Sequence, residues 1–375
     1  SRISSVRQRG TRSAWTRRAR TTAPAPPTAR CIRTFANLKS LPLVTKGRWH
    51  GEAVTEGRTN MVKIDLITGF LGSGKTTFIK KYATYLMRKG LNIGILENDH
   101  GAVNVDMMLL QELRGDQCEL EMISGGCDAE THRRRFRTKL ISMGMCGYDR
   151  VLVEPSGIYD IDEFFDVLRD EPLDRWYEIG NVIAVVNAGL EESLSDQAEF
   201  LLASEVADAG SIVLSRSQEV PVTKQDATIE HLNRSLVKFG CRRQIKGDEV
   251  LRSPWNEWTE REFERVLNGG YCTESYRKPE YRENQGFQSL YYMNLQIKKE
   301  ELKEKIKEAL KDLACGKLFR IKGFMQDENE KWIELNATQY EIQMNPVGEG
   351  QNVLIVIGEG LEEDALAKYF GTPAR

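Results

Sequence analysis

The segment Gly69-Phe70-Leu71-Gly72-Ser73-Gly74-Lys75-Thr76 fits the pattern G-x-x-x-x-G-K-[ST] in full. The chemistry it can do is phosphate binding. Gly69, Gly72 and Gly74, with Ser73 between them, let the backbone fold tightly enough for several N–H groups to converge on phosphate oxygens. A helix beginning at Lys75 would add the positive end of its dipole. Lys75 can reach the β- and γ-phosphates, and the Thr76 hydroxyl can bind Mg²⁺, with Thr77 as its neighbour. A glycine turn without a ligand is the plainer alternative. The apolar run before the motif and the helical pattern after it weigh against that alternative.

Such a loop needs an acidic element near the metal. Val151-Leu152-Val153-Glu154-Pro155-Ser156-Gly157 supplies one, with Glu154 at the C-terminal end of a short apolar strand. Open α/β sheets bind their ligands at that end. Glu154 could hold a water on Mg²⁺, and the Gly157 N–H could sense the γ-phosphate. Alternatively, Glu154 caps the helix that follows. The loop Glu97-Asn98-Asp99-His100-Gly101-Ala102-Val103-Asn104-Val105-Asp106 brings two further carboxylates, Asp99 and Asp106. They could approach Mg²⁺ or polarise an attacking water; a polar surface loop would show the same composition.

Strands and helices must position these groups. Apolar runs predict strands at Val62–Thr68, Asn92–Leu96, Cys118–Ile123, Val151–Val153, Asn181–Val186 and Ser211–Leu214. Between them, 3.6-residue periodicity predicts helices at Lys75–Lys89 (stopped by Gly90), Arg133–Met145, Ile161–Leu168, Asp196–Ala207 and Thr223–Phe239. This β-α alternation implies a mainly parallel sheet covered on both faces. The polar stretch Asn268–Gly286 reads as a linker. Beyond it, strands at Ser289–Gln296, Lys317–Met325, Lys331–Met344 (one strand or two) and Val353–Ile357, with helices at Lys298–Leu313 and Glu362–Tyr369, make a small α+β domain. The expected organisation is a nucleotide-binding α/β domain over 61–267, a linker over 268–286 and an α+β domain over 287–375.

The chain has 375 residues, a net charge of −2, 40% hydrophobic and 29% charged residues, a soluble globular mixture. No apolar run approaches the roughly 20 residues needed to cross a bilayer. Residues 1–60 hold 13 Lys or Arg against 2 Asp or Glu, which leaves 40 against 53 beyond them. The part expected to fold is acidic, so nucleic acid is not an expected partner. Residues 1–60 are rich in Arg, Ser and Thr and lack apolar periodicity. A basic nucleic-acid arm and a transit peptide are two readings; the favoured one is a start extended or fused upstream of Met61. Seven scattered cysteines suit a reducing cytosol better than a disulfide framework, so the expected location is cytoplasmic.

Thr68–Thr77, Glu97–Asp106 and Glu154–Gly157 together resemble the CobW family of P-loop GTPases, from Met61 to about Phe370. Asn98, Asp99, Gly101 and Asp106 match that family's second block, with Asp99 where Glu is usual. The tail is similar to the CobW C-terminal domain at Gly316–Gly323 with its basic strand, at Trp332–Asn336 and at Asn352–Leu361. The resemblance implies a P-loop NTPase fold that binds GTP with Mg²⁺ and hydrolyses it slowly. Nucleotide state would control delivery of a metal, Zn²⁺ or Co²⁺, or of a metallo-cofactor to a client metalloprotein or corrinoid protein, often through a homodimer.

This chain departs from the family in two places. Where relatives carry C-x-C-C, it has Ser124-Gly125-Gly126-Cys127-Asp128. Cys127 with Cys118, His132 and Asp128 could assemble a soft-metal site, though a cysteine buried in a glycine turn is the plainer reading. Where GTPases read guanine with N-K-x-D, it has Ser215-Arg216-Ser217-Gln218. A neutral amide at Gln218 forfeits the charge-assisted bidentate contact to the base, so selectivity against ATP should weaken. Arg216 could still stack on a purine. The run His132–Lys139 is basic, and a solvated helix face is its ordinary explanation. An NTPase is the leading reading; a non-hydrolysing nucleotide-dependent scaffold and a small-molecule kinase are the alternatives.

Overall fold

A computed structural model describes residues 61–98, 105–123, 129–155, 161–279, 287–339, 341–348 and 350–374. In chain order the first part comprises β1 (Val62–Thr68), α1 (Lys75–Arg88), β2 (Ile93–Asn98), α2 (Val105–Leu110), β3 (Cys118–Ile123), α3 (Ala129–Gly144), β4 (Arg150–Pro155), α4 (Ile161–Arg169), α5 (Leu173–Trp176), β5 (Tyr177–Asn187), α6 (Asp196–Ala207), β6 (Ser211–Ser215), α7 (Val222–Lys238), β7 (Val250–Leu251) and α8 (Glu260–Leu267). The second part comprises β8 (Phe287–Met293), α9 (Lys299–Ala309), β9 (Lys317–Gln326), β10 (Trp332–Ala337), β11 (Ile342–Pro346), β12 (Val353–Glu359) and α10 (Glu363–Phe370).

Strands β1 to β7 form one sheet in the order β3-β2-β4-β1-β5-β6-β7, with every neighbouring pair parallel. Parallel pairing puts the C-terminal ends of β1, β2 and β4 on one edge, where Gly69, Asn98 and Glu154 lie. Val62, Ile64 and Leu66 of β1 face a core shared with α3, α4, α6 and α7. Ile67 faces the opposite core, with Phe78, Ile79, Tyr82 and Leu86 of α1. The α/β fold expected from the alternating pattern is the fold observed.

Strands β8 to β12 form a separate antiparallel sheet in the order β11-β10-β9-β12-β8. The stretch expected as one strand or two, Lys331–Met344, is two, with the turn closed by Thr338 N–H donating to the Glu341 carbonyl at 2.8 Å. One face of this sheet packs on α9 and α10 through Ile321, Leu335, Val356, Leu302 and Leu366. The other meets the phosphate loop. The Phe70 ring lies edge-on to Phe287 and Phe319, with centroids 6.0 and 5.7 Å away.

Three helices were not anticipated, α2, the single turn α5 and α8. α2 follows the acidic loop and buries Leu110. α8 opens with a capping box between Thr259 and Glu262, a pairing visible in the sequence as Thr-Glu-Arg-Glu. The segment read as a linker is held against the first sheet over 268–279. Gly270 N–H donates to Asn181 Oδ1 (2.8 Å), Cys272 N–H to the Asp208 carbonyl (2.9 Å) and Arg277 N–H to the Phe239 carbonyl (2.7 Å). Its polar composition signalled absence of a core face, which backbone hydrogen bonding compensates.

A buried carboxylate interrupts the apolar run of β1. Asp65 accepts from Arg150 Nη1 (2.6 Å to Oδ2), the Tyr82 hydroxyl (3.0 Å) and the Asn181 N–H (2.8 Å), so it joins β1, β4, β5 and α1. Both charges are almost fully withdrawn from water. Removing one partner would strand the other in the core. Asp65→Ala should therefore lower unfolding stability by about 3–5 kcal/mol in denaturant titration; a loss under about 1 kcal/mol would contradict this role.

Candidate functional site

The phosphate loop connects β1 to α1 under two constraints. At Gly69 φ is 147°, and a Cβ there would collide with the Val185 carbonyl oxygen of β5. At Gly74 φ is 99°, in the left-handed region, and Gly74 caps α1 without any side-chain acceptor. The first turn of α1 also contains no acidic residue. Its N–H groups thus present an uncompensated positive end, the condition for anion binding. Lys75 is buried and donates from Nζ to the Gly69 carbonyl at 2.8 Å, which curls it back over the loop. Ser73 is buried too, and its hydroxyl has no hydrogen-bond partner among the described residues.

Glu154 ends β4 next to this loop. The Thr76 hydroxyl donates to Glu154 Oε1 at 2.9 Å. A hydroxyl and a carboxylate are hard oxygen donors, the set that suits Mg²⁺, so the residues present fit that ion. Glu97 of β2 lies in register with Glu154 and is also buried. Asp99, Gly157 and Cys127 fall outside the described residues, as does the side chain of Asp106, which belongs to α2.

A cavity of about 450 Å³ opens over the loop. Gly72, Ser73, Gly74, Lys75, Thr76, Thr77 and Glu154 line it. Ser215, Arg216 and Gln218, which follow β6, line it too, and Ser215 Cβ is 3.6 Å from where a Gly74 Cβ would stand. Arg216 adopts φ 53°, and its guanidinium stands 3.4 Å from Glu341, ahead of β11. Its expected role as a purine stack must therefore accommodate that ion pair. The turn is braced by Gln225, whose Nε2 donates to the Ser217 carbonyl at 2.9 Å. Trp255 lines the cavity as well, with Cη2 3.4 Å from where a Gly74 Cβ would stand. Sequence reasoning missed Trp255 because nothing in Ser253-Pro254-Trp255 signals proximity to residue 74. The remaining wall comes from the second sheet. Across the whole lining, five cationic side chains (Lys75, Lys80, Lys81, Arg216, Arg320) face two carboxylates (Glu154, Glu334). That balance favours a polyanion.

Of the soft-metal set, Cys127 and Asp128 lie outside the described residues. Cys118 begins β3 and is buried. Burial pushes its thiol up to about 11, which disfavours the thiolate that binds metal. His132 is fully buried in the first turn of α3, with Nδ1 3.8 Å from Glu163 Oε1 of α4. Among the described residues, no group of three or more His, Cys, Asp or Glu side chains is placed to hold a metal ion. The basic run on α3 is engaged internally: Lys139 pairs with Glu121 at 2.7 Å, Arg133 with Asp170 at 3.6 Å, and Phe136 is in the core.

Comparison with known proteins gives a consistent picture. Residues 63–245 match the family model described as CobW/HypB/UreG, nucleotide-binding domain. The zinc chaperone YjiA of Escherichia coli (strain K12) is 29% identical over 170 residues, 42% of this chain and 50% of that protein. The zinc chaperone YeiR of the same organism is 29% identical over 173 residues, 44% of this chain and 50% of that protein. The chain thus spans about half the length of the relatives it matches. A crystal structure of Zn(II)-bound YjiA GTPase from E. coli aligns over 83% of this chain and 98% of that one, at 17% identity and a TM-score of 0.29. Among the described residues, no helix is long and apolar enough to cross a membrane.

Glu205 on α6 is a further group that the sequence did not flag. It is 1% exposed, and neither carboxylate oxygen has a hydrogen-bond partner among the described residues. Burial pushes its pKa up to about 8, opposed by the charge of Lys75. At neutral pH the carboxyl is mostly protonated, so it does not compete with a ligand for the charge of Lys75. Because the folded value exceeds the ordinary 4.5, the associated stability is fully present below 4.5 and is lost as pH rises towards 8. Thermal unfolding of wild type and Glu205→Gln across pH 4–9 should show wild type losing ground to the variant through that window. Parallel curves would contradict the assignment.

Proposed function

We propose that this chain, whose residues 63–245 match the CobW/HypB/UreG nucleotide-binding domain model, is a Mg²⁺-dependent GTP-binding protein that hydrolyses GTP slowly. The observation that carries this reading is the bond from Thr76 to Glu154 at the mouth of a cationic cavity, beside an uncapped helix N-terminus. In this reading the N–H groups from Gly72 to Thr76 take the phosphate oxygens. Lys75 exchanges the Gly69 carbonyl for the β- and γ-phosphates. Thr76 and Glu154 would hold Mg²⁺, which when bound neutralises charge on the β- and γ-oxygens. Asp99 and Asp106 orient the attacking water, and Gly157 N–H reports the γ-phosphate. The rate gain comes chiefly from positioning and charge stabilisation, since phosphoryl transfer asks little covalent work of the protein.

Two matching relatives are named zinc chaperones. By that analogy the cycle serves delivery of Zn²⁺, or of Co²⁺ or a metallo-cofactor, to a client metalloprotein or corrinoid protein. Cytoplasmic location and a nucleotide-dependent homodimer belong to the same reading. Cys127 and His132 stay as the cargo ligands to test.

One observation favours relaxed base choice. Gln218, which lines the cavity, replaces the carboxylate that would accept from guanine. GTP should bind more tightly than ATP, yet excess ATP should compete with it. Gln218→Asp should sharpen the preference for GTP by about tenfold. Tight ATP binding with no GTP binding would reverse the substrate assignment. Phosphate release from GTP should fall by at least about 100-fold in both Lys75→Ala and Thr76→Ala. Undiminished release in both would sink the proposal, and tight binding with no release in wild type would favour a non-hydrolysing scaffold.

A further inference from the structure

One face of the second sheet packs on α9 and α10; the other carries an apolar cluster of Phe324, Val353, Ile355 and Ile357 beside a polar patch that forms part of the cavity wall. Along β10 and β11, Ile333, Leu335, Ile342 and Met344 turn toward α9 and α10. The alternating residues Glu334, Asn336, Gln343 and Asn345, with Arg320 of β9, line the same cavity as the phosphate loop.

Arg320 is the cation of this wall. Its Nε donates to Asn336 Oδ1 at 3.0 Å, which fixes the plane of the guanidinium. The preceding residue, Phe319, is the ring that meets Phe70 of the phosphate loop at 5.7 Å. On the other side of the loop, the position a Gly72 Cβ would occupy is 3.4 Å from Thr338 Cγ2. The loop is thus held between β9 and the turn after β10. Strand β9 also lies beside α2, the helix that follows the acidic loop. Arg320 thus shares one cavity with Lys75, Thr76 and Glu154.

We propose that Arg320 contacts the terminal phosphate of a nucleoside triphosphate held on the phosphate loop, so that the C-terminal sheet reads the triphosphate directly. This rests on the nucleotide-binding reading above and goes beyond it by assigning a phosphate ligand outside residues 63–245. A guanidinium presents a planar fork matched to phosphate oxygens, and an arginine supplied within the same chain is a known way to stabilise charge on a transferring phosphoryl group. A diphosphate would leave this contact unmade. Loss of the γ-phosphate would then release Arg320, while the base and β-phosphate stay bound.

The test uses the full chain and compares affinities for a non-hydrolysable GTP analogue and for GDP, both with Mg²⁺, by fluorescence titration. Wild type should bind both. Arg320→Ala should weaken the analogue by about tenfold or more and leave GDP within about twofold. Arg320→Lys, which keeps charge and stem, should fall between and serves if the alanine variant does not fold. An unchanged analogue-to-GDP ratio in the folded variants overturns the role of Arg320. Wild type binding neither nucleotide overturns instead the nucleotide reading on which it rests.

Discussion

The hydrogen bond between Thr76 and Glu154 joins the first turn of α1 to the end of β4, and the site depends on that junction. It exists because β4 lies directly beside β1 in the sheet, although β2 and β3 intervene in sequence. The crossover brings residues 78 positions apart within hydrogen-bonding distance. Parallel pairing then places Glu97, Glu154 and the phosphate loop on one edge, where a ligand meets N–H groups, a lysine and carboxylates together. The Asp65–Arg150 pair beneath fixes the lateral order of the same strands.

The second sheet is built into this arrangement through the two apolar residues of the motif. Phe70 and Leu71 satisfy the pattern only as arbitrary residues, yet Phe70 stacks edge-on with Phe287 and Phe319, and Leu71 packs beside Ile355 and Phe324. Burial of these side chains holds the loop against β9 while its backbone stays turned toward the cavity. The phosphate loop and the C-terminal sheet thus share one packed contact.

Much of the fold was legible because its signals are local. The predicted β1 has the observed bounds, and α6 was anticipated residue for residue, since apolar periodicity and the Ser195 cap act within a few residues. The phosphate loop was legible for the same reason: glycine, lysine and threonine at fixed spacing carry their own geometry. What stayed hidden depends on distant pairing. Trp255 reaches the cavity only because β7 joins the far edge of the sheet. Glu205 reads as an ordinary helix glutamate until α6 is seen packed under Lys75. Cys118 looked like a companion of Cys127 by separation along the chain; that it is buried at the start of β3 was not in that spacing. Alternation in Trp-Ile-Glu-Leu-Asn-Ala did announce a two-faced strand; that its polar face would meet the phosphate loop was not in the sequence pattern.

The central claim is that a triphosphate lies on the backbone amides of Gly72–Thr76 with its cation beside Glu154. A crystal structure of the chain with a non-hydrolysable GTP analogue and Mn²⁺, phased to show anomalous scattering from the metal, tests it most directly. The account predicts an anomalous peak within coordination distance of Thr76 Oγ1, near Glu154, and Lys75 turned from Gly69 onto the phosphates. Nucleotide bound elsewhere, or Lys75 still on the Gly69 carbonyl with no peak near Glu154, would contradict it.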